Sequence, residues 1–388
     1  MLRVPLFARL LASVAPCLLL TAAIGVSGCE DEKHSAPSDA GAKDAGPKQP
    51  VLDSDLAAAV AAASATGSPG GPGAPGGPGA PPESGVFPPG KAELLQARGA
   101  TSKIEVLSDG TEPRVALAPK PDSAGEQKTT VSVAMRTGAQ SALPTIDFGV
   151  SLKADKPKGD KPAEKDTPDD AKVSRVVCKV TSAGLSSVQP GSLPKEVATE
   201  VGKLKGSIIR YKLSKTDGGV SDYSTELAKG ADPGLGTALA GLVDALATLS
   251  VPAPSKPVGV GAYWMVADRT SSAGVDVLRY RVFRVVKVDK KVSLSVDVRQ
   301  YAASDKIDLG GAPKNLDLSI ELFDSQGKGT VEIAPGALMP STGDLSQKLQ
   351  ARLKAAGQGD KRMMVQIEST AKLGEGKAAA AASVDPDE

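Results

Sequence analysis

The chain has 388 residues, with 46 lysines and arginines against 45 aspartates and glutamates, a formal net charge of +1. A balance this close to neutral offers no electrostatic footprint for nucleic acid, whose phosphates select strongly basic surfaces. One histidine, His34, and three cysteines, Cys17, Cys29 and Cys178, exclude a Ser-His-Asp triad in the body of the chain, a histidine-bearing zinc site there, and a disulfide framework.

Read from the start, Arg3 and Arg9 frame an N-terminus that continues as an uncharged apolar run, Leu10 to Ile24. Small residues then lead to a cysteine in Val26-Ser27-Gly28-Cys29, and Glu30, Asp31 and Glu32 follow. The run is shorter than the ~20 residues that span a bilayer. This order of basic, apolar and small residues before a cysteine resembles the lipobox of bacterial lipoprotein precursors. The resemblance implies a signal peptide over residues 1–28, cleavage between Gly28 and Cys29, a diacylglyceryl group on the Cys29 sulfur and acylation of the new amino terminus. Membrane lipid, reached through acylated Cys29, is then the first partner, with roughly 0.8 kcal/mol from each buried CH₂. In lipoprotein families an aspartate after the cysteine marks inner-membrane retention. Glu30 stands there instead, which favours the outer membrane over the inner. Loss of Arg3 and Arg9 from the 46 basic residues leaves 44 against 45 acidic ones, a formal charge of −1.

Residues 29–90 read as a disordered tether rich in Ala, Gly and Pro, because so few large apolar side chains cannot offset the entropy of ordering. Asp53 to Ala65 is alanine-rich enough for a marginal helix. Gly-X-Pro triplets begin at Gly67, Gly70, Gly73, Gly76 and Gly79. They fit a polyproline-II spacer of about 45 Å better than a collagen-like trimer.

From residue 91 to 373 the pattern turns β-rich. The clearest strands are 292–299 and 316–322, where apolar and polar residues alternate strictly. Further strands are predicted at 103–107, 128–137, 144–154, 172–182, 205–214, 219–226, 260–269, 275–288, 330–334 and 361–371. Turns are expected at 108–110, 217–219, 271–274, 289–291 and 325–329, where Gly, Asp and Ser cluster. Leu193, Val197, Val201 and Leu204 recur at helical spacing. A second helix opens at Asp232-Pro233, carries Leu235, Leu239, Leu242, Val243, Leu246 and Leu249, and stops at Val251-Pro252. Ala142-Leu143-Pro144 through Thr181 faintly parallels Leu338-Met339-Pro340 through Thr370. This pseudo-repeat makes 345–355 a strand rather than the helix that Leu345, Leu349 and Leu353 also permit. Residues 374–388 read as a disordered tail.

Candidate chemistry is thin. Cys178 shares strand parity with Val176 and Val180, which points a lone thiol at a core. Ser-x-x-Lys occurs at Ser192/Lys195, Ser325/Lys328 and Ser369/Lys372 without the motifs that accompany it in penicillin-interacting enzymes. Glu196/Glu200 and Asp222/Glu226 read as solvated carboxylates. The run Lys153–Lys172, with six lysines and six acids, reads as a solvated hairpin loop. Tyr263-Trp264 is either a ligand-stacking platform or a core anchor, and the scarcity of rings favours the core.

The expected fold is mainly β (α+β): a large curved antiparallel sheet, crossed by two helices and carrying an internal pseudo-repeat. This resembles the open half-barrels of periplasmic lipoprotein carriers, and residues 257–264 resemble a segment of uncharacterised envelope lipoproteins. The expected function is a membrane-anchored envelope lipoprotein that is not an enzyme and needs no cofactor or metal. It would bind an envelope protein or the cell wall. The alternatives are a carrier of lipid or another apolar ligand in a cavity between sheet and helix, and a hydrolase with convergent carboxylates.

Overall fold

The computed structural model describes residues 81–138, 144–155, 172–186, 195–307, 318–355 and 362–374. The expected signal peptide, Cys29, nearly all of the tether and the tail beyond Gly374 lie outside these residues, as does the Lys153–Lys172 loop apart from its ends.

Twelve strands form one antiparallel sheet: β1 (Lys103–Ser108), β2 (Gln127–Thr137), β3 (Thr145–Ala154), β4 (Val173–Ser186), β5 (Ile208–Ser214), β6 (Val220–Glu226), β7 (Tyr263–Ser272), β8 (Val275–Val288), β9 (Val292–Ile307), β10 (Leu318–Ile333), β11 (Thr342–Ala355) and β12 (Arg362–Gly374). Their order is β1-β7-β8-β9-β10-β11-β12-β2-β3-β4-β5-β6. Two meanders, β7–β12 and β2–β6, therefore meet edge to edge where β12 pairs with β2, from Ile367 opposite Thr137 to Gly374 opposite Thr130. Both halves of the expected pseudo-repeat are hairpins of this sheet, β3–β4 and β11–β12. Residues 345–355 are a strand, as expected.

Among the described residues, three helices accompany the sheet: α1 (Lys91–Leu95), α2 (Lys195–Gly202) in the β4–β5 connection, and α3 (Gly236–Leu249) between β6 and β7. A 3₁₀ turn, Pro233–Leu235, leads into α3. Asp232 caps it by accepting from the Gly234 N–H at 2.7 Å. Such a cap satisfies a donor that the first turn otherwise leaves unpaired. From Ala245 to Leu249 every residue of α3 is buried, and a helix apolar on all sides belongs inside a protein. Helix α3 touches β2, β6 and β12, and its Leu249 lies against Gly343 of β11. The sheet thus curls around the helix. Its two edges come close near Ser102, before β1, and Gly219, before β6. The curl stops short of closure, since β1 and β6 remain the ends of the strand order.

Two expectations need correction. The turn expected at 325–329 lies inside β10, which runs unbroken from Leu318 to Ile333 and absorbs the separate strand expected at 330–334. Gly327 and Gly329 mark close backbone approach instead: a Cβ on Gly329 would sit 2.3 Å from the Asp344 carbonyl oxygen of β11. The packed body also begins before residue 91, because Phe87 is only 2 % exposed and Val86 bridges to Ala302.

The solvent face of β9–β12 carries cross-strand pairs such as Arg299–Asp324 at 2.8 Å, Lys372–Asp344 at 3.0 Å and Lys348–Glu368 at 3.2 Å. Each fixes register more than it adds stability, as exposed pairs contribute at most ~1 kcal/mol. The opposite face is apolar. Its largest cluster joins α2 and α3 to both meanders, with Phe148, Leu152, Val176, Cys178, Leu242, Leu246, Trp264 and Phe283 among its members.

Gly329→Val should cost about 1–3 kcal/mol through overpacking, while Lys328→Val on the exposed face should stay within roughly 0.5 kcal/mol. Urea unfolding of the two variants checks this. Burial pushes the Cys178 thiol up to about 12. In a chain carrying Cys17→Ser and Cys29→Ser, it should resist Ellman's reagent at pH 8 until denaturant is added.

Candidate functional site

Among the described residues, a dense buried polar group lies where β7 and β8 face the C-terminal end of α3. Pairing places Asp268 of β7 opposite Arg279 of β8, with Arg281 one step further along the same face. Arg279 grips Asp268 with two bonds, Nε to Oδ1 at 2.8 Å and Nη2 to Oδ2 at 3.1 Å, and its Nη1 donates to Thr248 Oγ1 at 2.8 Å. Arg281 Nη2 donates to Asp268 Oδ2 at 2.6 Å. Its Nη1 lies within bonding distance of the carbonyls of Ala247 (3.0 Å), Thr248 (3.1 Å) and Ser250 (2.7 Å). Arg279 is 2 % exposed and Arg281 not at all.

These contacts satisfy two needs together. The last carbonyls of a helix have no partner within it and carry the negative end of its dipole. Two guanidiniums meet both demands, and one carboxylate neutralises part of their charge. Burial alone would raise the Asp268 carboxyl, but the Arg279 and Arg281 charges reverse this and hold it below the usual range. Burial pulls Arg281 down to about 10, against the attraction of Asp268. Arg279 is held above the usual arginine value because Asp268 outweighs the cost of its burial.

Asp244 and Tyr223 lie within electrostatic reach of this triad. Asp244 of α3 is pushed up by burial, opposed by Arg279 and reinforced by Asp268, and its Oδ1 has no hydrogen-bond partner. Tyr223 of β6 is pushed up by burial and stacks obliquely on Tyr211 at 5.4 Å. On the next strand the polar row continues: Ser325 Oγ donates to Gln300 Oε1 at 3.1 Å and accepts from Gln347 Nε2 at 2.8 Å.

Tyr263 and Trp264 divide as a strand requires, one to each face. Trp264 has no exposure; it stacks on Phe283 at 5.5 Å and donates from Nε1 to the Pro252 carbonyl at 2.8 Å. Its faces are therefore taken by protein, which removes it as an open stacking platform. Tyr263 lies on the other face beneath the Arg284 guanidinium, 5.5 Å from the ring centre.

The remaining sequence candidates do not converge. Cys178, Val176 and Val180 are all fully buried on the inner face, as their parity indicated. Ser325 is buried among glutamines, whereas Lys328 lies three residues on and points to the other face of the same strand. Ser369 and Lys372 are likewise split across β12, and Ser192 lies outside the described residues. Asp222 pairs with Lys212 at 2.7 Å and Glu226 with Arg210 at 2.9 Å along the β5–β6 edge. Glu200 binds Lys203 on the surface of α2, and Glu196 is exposed on the same helix.

The Asp–Arg–Arg triad was not among the sequence candidates, although a signal existed. In Val277-Leu278-Arg279-Tyr280-Arg281-Val282-Phe283, the two arginines share parity with Val277 and Phe283. Charges on the apolar parity of a strand imply buried partners. Chemically the triad is a clamp: the Asp268 oxygens accept three arginine bonds.

Asp268→Asn leaves two buried guanidiniums without their counter-charge and should cost roughly 3–5 kcal/mol, read by urea unfolding at pH 7. The pH dependence follows from the signs. The folded chain binds the Asp268 proton less readily than the unfolded chain, so its contribution is full above the ordinary value of about 3.9 and vanishes as pH falls below it. For Asp244 the folded value is raised, and stability is lost as pH rises from about 3.9 through that value. Asp244→Asn should therefore raise the unfolding midpoint at pH 7 and leave it nearly unchanged at pH 3.5.

No family model matches this chain, and none of the curated proteins matches it in sequence.

Proposed function

We propose that the protein is a cell-envelope lipoprotein, tethered through acylated Cys29, whose folded body has a non-catalytic binding or structural role. The observation that carries this reading is the occupation of the sheet's concave side. Helix α3 fills it with Leu239, Leu242, Leu246 and Leu249, each no more than 1 % exposed, and the arginine clamp secures the helix there. A body of this kind offers surfaces and sheet edges for recognition.

The same observation speaks against a carrier that holds its ligand between α3 and the sheet, since side chains already fill that space. Against a hydrolase stands the commitment of Asp268 to two arginines, while Asp244 Oδ1 has no hydrogen-bond partner among the described residues. Attachment rests on the Arg3 to Cys29 segment, in which Cys29 directly follows the small residues Ser27 and Gly28, whereas Cys17 lies within the apolar run. The outer membrane is the favoured destination, on the strength of Glu30.

Expression of the complete precursor in a bacterial host with labelled palmitate tests the anchor. The parent chain should incorporate label and remain with membranes through a high-salt wash. Cys29→Ser should take up no label, and its signal-free form, starting at residue 29, should be released. Membrane retention of that unlabelled, signal-free form would overturn the proposed attachment.

A further inference from the structure

The sheet contains a slit, and the chain fills it with its own strand. Strands β9 and β10 pair at Ser325 opposite Gln300 and again at Ser319 opposite Lys306, but not in between. Into this opening runs the segment Ser84-Gly85-Val86-Phe87. The Phe87 N–H donates to the Ala302 carbonyl, the Ala302 N–H to the Gly85 carbonyl and the Phe323 N–H to the Ser84 carbonyl, each at 2.8 Å. Val86 runs parallel to β9 at Ala302, in a sheet whose named strands are otherwise antiparallel.

Both walls of the slit also carry irregularities against their outer neighbours. Strand β9 changes register against β8 between the pairs Val275–Ile307 and Val277–Ala302, and β10 shifts against β11 between Ile320 and Leu322. Bulges of this kind bend strands apart and end local pairing. The slit is also selective. Gly85 has φ +70°, and a Cβ there would lie 1.7 Å from the Phe323 carbonyl oxygen, so the position takes glycine alone. Val86 packs on the apolar cluster of Val277, Ala302 and Phe323 on one face of the sheet. Phe87 enters the other face among Met265, Leu278 and Tyr280, edge-on to Tyr301 at 6.0 Å.

We propose that this slit is a strand-acceptor site for an extended peptide of the pattern Gly-Val-Phe, occupied intramolecularly by residues 84–87 and open to the same pattern from another chain. Added strands gain affinity from main-chain hydrogen bonds and specificity from alternate side-chain pockets, and both are present here. The built-in strand is held by three backbone bonds and one aromatic anchor, near a long N-terminal extension and ahead of Pro88-Pro89-Gly90. So short an attachment opens at a cost well below that of unfolding the sheet. The inference does not depend on Cys29, and its failure would leave the anchoring proposal untouched.

The test uses the chain from residue 29 with Cys29→Ser and a fluorescein-labelled peptide spanning residues 81–90. Gly85→Val in the protein expels the built-in strand and leaves the acceptor walls intact. The variant should bind the peptide at least about tenfold more tightly than the parent, whose own strand competes. A peptide that itself carries Gly85→Val should not bind. Phe87→Ala in the protein, which weakens the built-in strand without steric conflict, should give an intermediate affinity if Gly85→Val impairs folding. Equal binding by parent and both variants, binding of the Gly85→Val peptide as tight as that of the natural one, or no binding to either variant would overturn the proposal.

Discussion

The structure turns on how a helix can end inside a sheet. Helix α3 enters the concave side of the curled sheet and stops there, so the carbonyls of Ala247, Thr248 and Ser250 point into a region without bulk water. Unpaired buried carbonyls are costly, and the negative end of the helix dipole adds to the cost. Arg281 and Arg279 answer both demands from β8, and Asp268 on β7 balances part of their charge. Without this clamp the leucines of α3 would still favour burial, but nothing would fix the depth or rotation of the helix. A buried ion network of this kind contributes more to geometry than to net stability.

Once α3 is fixed, much of the remaining architecture follows. The strands curl because they must cover a helix that is apolar on all sides at its C-terminal half. Trp264 and Phe283 stack in the layer beside Arg281, which lies over the Phe283 ring at 5.5 Å. Strands β2 and β6 of one meander and β12 of the other meet the same helix, so the two meanders share one core rather than forming two bodies. The long strands β9 to β12 are held in register by charge pairs on the wet face and by aliphatic side chains on the dry face.

Much of this was legible in the sequence, for a physical reason: strict two-residue alternation survives in antiparallel strands with one wet face. The first half of β9, strand β12, the capped start of α3 at Asp232 and the inward aim of Cys178 were readable from that rule or from capping chemistry, while β11 came from its parallel with β3. The failures came where a residue served a neighbouring strand rather than its own segment. Gly327 and Gly329 look like a turn, yet they make room for the backbone of β11. Val86 and Phe87 sit in a proline-rich stretch that reads as tether, and only the slit between β9 and β10 gives them partners. In β8 apolar residues occupy both parities, which hid Arg279 and Arg281 until pairing with β7 brought Asp268 opposite them.

Hydrogen exchange on the Arg281→Met variant tests the helix clamp most directly, since the substitution keeps the length of the side chain and removes the donors to the helix carbonyls. The account predicts that amides of residues 236–250 lose protection by at least tenfold, roughly 1.4 kcal/mol or more of local opening, while amides in the middle of β9 to β11 change much less. Equal loss across helix and sheet, or unchanged protection in residues 236–250, would contradict it.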